Sequence, residues 1–290
     1  MPVSKRFSTP TAVLAGALAL VLAACAPTKK FCPQDYSLDF AEALQFASFA
    51  DQAYSPDSVV AKECGRDSCF FFHGPLSDAH AFVRVDDSAK IQWIAFRGTK
   101  SIEDVKLDAD YTQTEDSILH MRLHRGFAKG ARDLYPLIRP HLSSIYKTRI
   151  TGHSLGGAIA VISGLYLRAE GFNVQVETFG QPKVTNAAGA LHGDSLNLVR
   201  FLNGRDLVTQ VPPLSYKPGG NLGSYEHFGR EVELLDGKGY ECLTEHYQKR
   251  YDPDSWWAQV QEQALKDHGI ALYLEKLRAL AGQGVAVGTK

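Results

Sequence analysis

The chain has 290 residues, 44% of them hydrophobic and 22% charged, a globular composition with room for one large α/β domain or two small ones. The formal net charge is −1 and no basic tract stands out, which excludes an electrostatically driven nucleic-acid binder. The sequence shows no internal repeat and no second long apolar span, so repeat-array and polytopic membrane classes are excluded as well.

The N-terminus reads as a targeting segment. Lys5 and Arg6 supply a positive start, and Ala12 to Ala24 is a continuous apolar run of signal-peptide length. It ends in Leu22-Ala23-Ala24-Cys25, which resembles the bacterial lipoprotein signal, in which the cysteine thiol is acylated and becomes the first residue. Residues 1–24 are then a removed signal peptide, 25–36 a lipidated tether, 37–282 the folded domain and 283–290 a loose tail. Ala26 after Cys25 points to the outer membrane rather than retention at the inner one. Plain secretion, with cleavage after Ala24 or Ala26, is the alternative. Apart from Cys25, four cysteines remain, an even number that suggests two disulfides in an exported protein. Cys64 and Cys69 bracket a polar turn, which leaves Cys32 for Cys242; four cysteines permit three connectivities.

Along the domain, apolar residues at helical spacing predict a helix over 38–54. Strands are expected over 80–86 and 90–96, joined at the polar corner Asp86-Asp87-Ser88. A short helix is expected over 102–109 and a long one over 126–146, bent at Pro136 and Pro140. Apolar, β-branched residues over 146–151 predict a strand, followed by a buried helix from Leu155 to about Ala169. Strands are expected at 174–179, 196–202 and 231–235, with a Pro/Gly-rich loop over 211–223 between the last two. Helices at 256–266 and 270–280 follow. Strands alternating with helices imply an α/β fold with a mostly parallel central sheet and helices on both faces.

The chemistry enters at Gly152-His153-Ser154-Leu155-Gly156. This is the G-x-S-x-G pattern of a nucleophile elbow, placed between a predicted strand and a predicted helix. A serine on so tight a turn brings backbone close on both sides, so the residues two before and two after it must be small. The helix behind it points its N-terminal amides at the reacting oxygen. Serine needs a histidine base, and the histidine needs a carboxylate, in the chain order serine, acid, histidine. Active sites of such sheets lie at the carboxyl ends of the strands. Asp206 follows the strand at 196–202 and so sits at that edge, whereas Asp194 precedes it. Of the later histidines, His268 sits on a joint between two predicted helices and is preferred; His227 opens a strand at its entry end and is the alternative, and His246 lies in a polar surface stretch. The Leu155 amide and the Thr99 amide, after the strand at 90–96, are the candidate oxyanion donors. His120 and His124 lie four apart, but the segment 118–123 reads at least as well as a strand and no flanking acid completes a zinc site, so no metal is expected.

These residues together resemble the class 3 lipases, the fungal-type branch of the α/β-hydrolases. The resemblance runs from about Phe40 to Leu280 and is carried by Phe96-Arg97-Gly98-Thr99, His124-Arg125-Gly126-Phe127, the elbow, Phe179-Gly180-Gln181-Pro182, Asn203-Gly204-Arg205-Asp206, Tyr225-Glu226-His227-Phe228-Gly229 and Asp267-His268. It implies an α/β-hydrolase fold and hydrolysis of lipid or other carboxylic esters without a cofactor. It makes Ser154 nucleophile, Asp206 acid and His268 base, places Thr99 in the oxyanion hole, and gives His227 a structural role. The implied partners are a lipid ester substrate and, through Cys25, a membrane; nothing sets an oligomeric state. The same triad would serve a phospholipase or an acyltransferase, and a catalytically silent lipid-binding lipoprotein is the contrasting class. Two departures stand out. The family has a tyrosine three residues after the histidine, where this chain has Tyr273 five after. The segment 101–113, which corresponds to the family's amphipathic lid, has only Ile102, Val105 and Leu107 as large aliphatics among four acids and a lysine.

Overall fold

The computed structural model describes residues 31–33, 36–99, 112–204, 206–212, 225–237, 239–244 and 266–282. In chain order these form α1 (Phe40–Gln52), α2 (Asp57–Glu63), β1 (Ser68–His73), β2 (His80–Asp86), β3 (Ile91–Phe96), β4 (Gln113–Asp116) and β5 (Met121–His124). Then follow α3 (Arg125–Ile138), β6 (Lys147–His153), α4 (Leu155–Ala169), β7 (Asn173–Phe179), β8 (Thr185–Asn186), α5 (Ala187–Gly193) and β9 (Leu198–Asn203). Last come β10 (Tyr225–Glu226), β11 (Arg230–Leu234), β12 (Tyr240–Leu243) and α6 (Ile270–Ala281).

The main sheet has the order β1-β2-β3-β6-β7-β9-β11-β12. Its five central strands, β3 to β11, run parallel, and antiparallel strands flank them on both edges. Alternation along each strand sends side chains to two cores. Ile150, Val174, Val176 and Leu198 face one layer, where the apolar helix α4 packs with α3. Val199, Phe201, Phe179 and Trp93 face the other, where α1 and α6 pack. Helix α4 is buried all round from Gly156 to Leu167, which is why its sequence lacks a polar face. Helix α1 starts where Asp39 Oδ1 accepts the amides of Ala41 and Glu42, a carboxylate N-cap. The α/β-hydrolase architecture expected from the sequence is therefore the one formed.

Several elements differ from the sequence reading. The helix expected over 126–146 ends at Ile138 and tightens into a 3₁₀ turn over Arg139–His141. Pro140 has no amide to continue the α-helical ladder, whereas Pro136 is accommodated within it. His120 lies in the tight turn between β4 and β5 with φ 51°, so the strand at its C-terminal side begins only at Met121. Strand β1 and helix α2 carry no clear period and are not foreseen. A second sheet, ordered β10-β8-β5-β4, is built from strands as short as two residues, below what periodicity can register. The expected helix at 102–109, all but the last residue of the helix expected at 256–266, residues 1–30 with the signal segment and Cys25, and the tail 283–290 lie outside the described residues. Among the described residues no helix is long and apolar enough to cross a membrane.

Of the three connectivities open to the four cysteines, the fold uses Cys32–Cys242 and Cys64–Cys69. The first joins the N-terminal segment to the edge strand β12, beside a backbone hydrogen bond from Cys32 to Cys242 of 2.9 Å. The second links the end of α2 to the start of β1.

Candidate active site

Strand β6 ends in the elbow. Ser154 has φ 57° and ψ −129°, a region that L-residues with a side chain rarely enter and that costs of order 1–3 kcal/mol. The two flanking glycines explain how the turn fits. A Cβ on Gly152 would overlap the backbone of Gly156, and one on Gly156 would overlap the carbonyl of Phe96 at the end of β3. The small residues are needed because helix α4 begins directly against two strand ends. The Ser154 amide donates to the Phe179 carbonyl (3.0 Å) and locks the turn to the end of β7.

The next residue, Gly180, has φ +59°. A side chain there would stand 2.7 Å from Asp206 Oδ2 and 3.0 Å from the His268 ring. Gly180 thus leaves the space in which the acid and the base meet, directly beside the residue that anchors Ser154. His268 Nδ1 lies 2.8 Å from Asp206 Oδ2 and 3.0 Å from Oδ1. Both side chains are almost wholly buried. Asp206 Oδ1 also accepts the Val208 amide (2.9 Å), and Oδ2 accepts the Tyr273 hydroxyl (2.6 Å). The carboxylate therefore has three donors, and the geometry fixes Nδ1–H as the His268 proton that faces it. Nε2 is the ring nitrogen turned away from the carboxylate.

Tyr273 is the residue that sequence spacing placed out of family register. Helix α6 nevertheless delivers its hydroxyl to Asp206, and the same oxygen accepts the Asn203 amide (3.1 Å). Burial, with the Asp206 charge adding to it, pushes the Tyr273 pKa well above its usual value, so it remains a donor. Asn203 does a second job: its side-chain amide donates to the Asp267 carbonyl (2.8 Å) and ties the loop carrying His268 to the end of β9.

A second histidine stands in the site. The His153 ring lies 4.5 Å, centroid to centroid, from that of His268. Its Nε2 is 2.7 Å from the His268 carbonyl, which can only accept, so Nε2 carries the proton and Nδ1 accepts from the Tyr54 hydroxyl at 2.8 Å. Burial, reinforced by His268, holds the His153 pKa well below the usual value. His153 is thus a neutral strut for the backbone of residue 268, and only His268 is paired with a carboxylate. Neither Tyr54 nor this role of His153 was visible in the sequence, because neither residue is near its partners along the chain.

The oxyanion candidates sit around the same turn. A Cβ on Gly98 would lie 3.2 Å from the Ser154 Cβ and would overlap the Tyr54 hydroxyl, so the chain entering Thr99 passes the nucleophile closely. Leu155 opens α4 immediately after it. His227, the alternative base, is instead turned to the Thr209 carbonyl (2.7 Å). It braces the 3₁₀ turn Leu207–Gln210 that follows Asp206. Lys183 braces the same turn: its buried Nζ donates to the carbonyls of Gln210 (2.9 Å) and Pro212 (3.3 Å). Burial lowers its pKa to about 8. Asp194 lies at the opposite end of β9, at the end of α5.

The family model for class 3 lipases matches residues 93–216, which span β3, the elbow and the Asp206 turn. Over these residues the chain is similar to the class 3 lipases. A lipase from Rhizopus niveus is 31% identical over 159 residues, half of this chain and 41% of that protein. The secreted mono- and diacylglycerol lipase 1 of Fusarium solani is 28% identical over 173 residues, 57% of this chain and half of that one. The matched part of the chain thus spans about half the length, or less, of these relatives. In three dimensions the likeness is wider. Lipase II from Rhizopus niveus superposes with a TM-score of 0.64 at 25% identity, covering 79% of this chain and 92% of that structure. The segment 101–111, most of the stretch compared with the family's lid, lies outside the described residues. So do Cys25 and His246. His124 Nδ1 accepts the Phe127 amide at 3.4 Å, at the start of α3.

Proposed function

We propose that this chain is a serine ester hydrolase that cleaves carboxylic esters of lipids through an acyl-enzyme. The observation that carries the reading is the buried His268–Asp206 pair beside a serine held at positive φ. Ser154 Oγ attacks the ester carbonyl carbon while His268 Nε2 takes its proton. The carbonyl oxygen gains the negative charge, and the amides of Thr99 and Leu155 donate to it; one such donor is worth about 3 kcal/mol. Collapse of the intermediate breaks the bond to the alcohol, which leaves with the proton from His268. Asp206 stabilises the imidazolium between the two transfers. Water, deprotonated by His268, then attacks the acyl-serine, and the fatty acid is released. No cofactor enters these steps.

The test is hydrolysis of p-nitrophenyl esters by the Ser154→Ala variant, which should fall by at least about 10⁴-fold. Turnover at the wild-type rate would overturn the proposal. The sparse aliphatic content of residues 101–113 supports short-chain esters and partial glycerides over long triglycerides, with little rate increase at an oil–water interface. A steep rise in rate as substrate passes its solubility limit would count against that preference. The residues before the domain support export and attachment through a lipidated Cys25, with the outer membrane as destination. Labelling with a fatty-acid analogue in the producing cell should mark the wild type and fail with Cys25→Ala.

A further inference from the structure

We propose that Asp57, His73 and His80 form a binding site for a zinc-class divalent cation, separate from the esterase centre. His73 and His80 are directly opposed across the antiparallel pair β1–β2, so their side chains leave the sheet on one face. Their rings stack with centroids 4.3 Å apart. Asp57, the first residue of α2, lies in front of both. His73 Nε2 is 3.0 Å from Asp57 Oδ2, and His80 Nε2 is 3.0 Å from Asp57 Oδ1. All three donor atoms lie within 4.8 Å of one another. Ligands on a tetrahedral zinc at about 2.05 Å stand about 3.3 Å apart, so small side-chain rotations would seat an ion. Two imidazoles and one carboxylate are a zinc ligand set with one position left open.

A bare hydrogen-bonded cluster is the competing reading, and His80 argues against it. Its side chain is 5% exposed, yet among the described residues neither ring nitrogen makes a hydrogen bond, and the approach of Nε2 to Asp57 is an ion-pair contact alone. Buried imidazole nitrogens are normally satisfied. A cation on Nε2 gives that nitrogen the partner the chain does not. His73 is 65% exposed and Asp57 37%, which leaves an entry path from solvent. The place in the fold gives the ion a role. Helix α2 is fixed to β1 at its far end by Cys64–Cys69, and a cation on Asp57 would fix its near end to the same hairpin, three residues after Tyr54.

The test is zinc titration by calorimetry of the full-length protein after chelator treatment, followed by absorption spectroscopy with Co²⁺ and by thermal unfolding with and without zinc. One equivalent is expected to bind, with visible bands of tetrahedral Co²⁺, and zinc should raise the Tm. His73→Ala and Asp57→Asn should each weaken binding at least about tenfold and remove the Tm shift. His192→Ala, at an exposed histidine on α5, should bind as the wild type does. Unchanged affinity in both site variants, an equal loss in His192→Ala, or no binding below about 100 µM zinc would overturn the proposal. His73 is at the surface and Asp57→Asn is isosteric, so at least one site variant keeps its fold, and far-UV circular dichroism checks it.

Discussion

The molecule holds two groups of histidine and aspartate, and they are built on opposite terms. Around Asp206 every donor is spoken for: His268, Tyr273 and the Val208 amide all point at one buried carboxylate. Around Asp57 two imidazoles converge on an acid that is partly in solvent, and one of them is buried without a hydrogen bond. The same two residue types thus make one site closed around a proton and one open to an ion. Satisfied donors, rather than the presence of histidine and aspartate, distinguish them. Glu177 on β7 supplies the limiting case. It is about as buried as Asp206, but among the described residues one oxygen receives the Gln175 amide alone (3.1 Å) and the other nothing. Desolvation therefore raises its pKa to about 8, and it holds its proton at neutral pH.

The sharpest break of this comparison is at Asp206. Asp206→Asn keeps the shape but presents an amide to Nδ1, and kcat should fall about 10⁴-fold while the fold survives. Steady-state kinetics with a soluble ester reads it; a loss under tenfold would mean that the pairing is ornamental. Gly180→Ala places a methyl against both partners in a left-handed backbone, and we expect about 10²-fold loss in kcat together with a lower Tm.

At Glu177 the readout is stability. The unfolded carboxyl ionises from pH 4.5 upward while the folded one stays protonated to about 8, so wild-type stability falls as pH rises between those values. Glu177→Gln removes this dependence, and its advantage should grow by on the order of 3 kcal/mol from pH 5 to 8 in denaturant titrations. Parallel curves for the two proteins would refute the protonated state. The smallest effect is that of Tyr273→Phe. It removes one of three donors to Asp206, and kcat should fall about tenfold with KM nearly unchanged. A KM effect alone would place Tyr273 in substrate binding instead.

How much was legible in the sequence followed from the range of each constraint. Ser154 was readable because its turn is governed by residues within two positions, and the overlaps met by a Cβ on Gly152 or Gly156 are of the kind the spacing implies. Asp206 was readable from its position after a strand, since strand direction fixes the edge on which a following residue lies. The stop of α3 ahead of Pro140 was missed because apolar spacing continues past the point where the ladder loses a donor. Strand β1 was missed because Cys69-Phe70-Phe71-Phe72 is half-buried on both faces and does not alternate. The second sheet was missed because its strands are too short to carry a period.

By itself the chain determined the α/β alternation and the strained turn at Ser154, because local sterics and the two periods of secondary structure are written in neighbouring residues. Only the tertiary structure decided that Tyr273 serves Asp206 from five positions after His268, that His153 and Tyr54 hold the backbone of that histidine, and that His73 and His80 face one carboxylate. Those contacts join residues between 16 and 115 positions apart, and no local propensity fixes the register and packing that bring such partners within 3 Å.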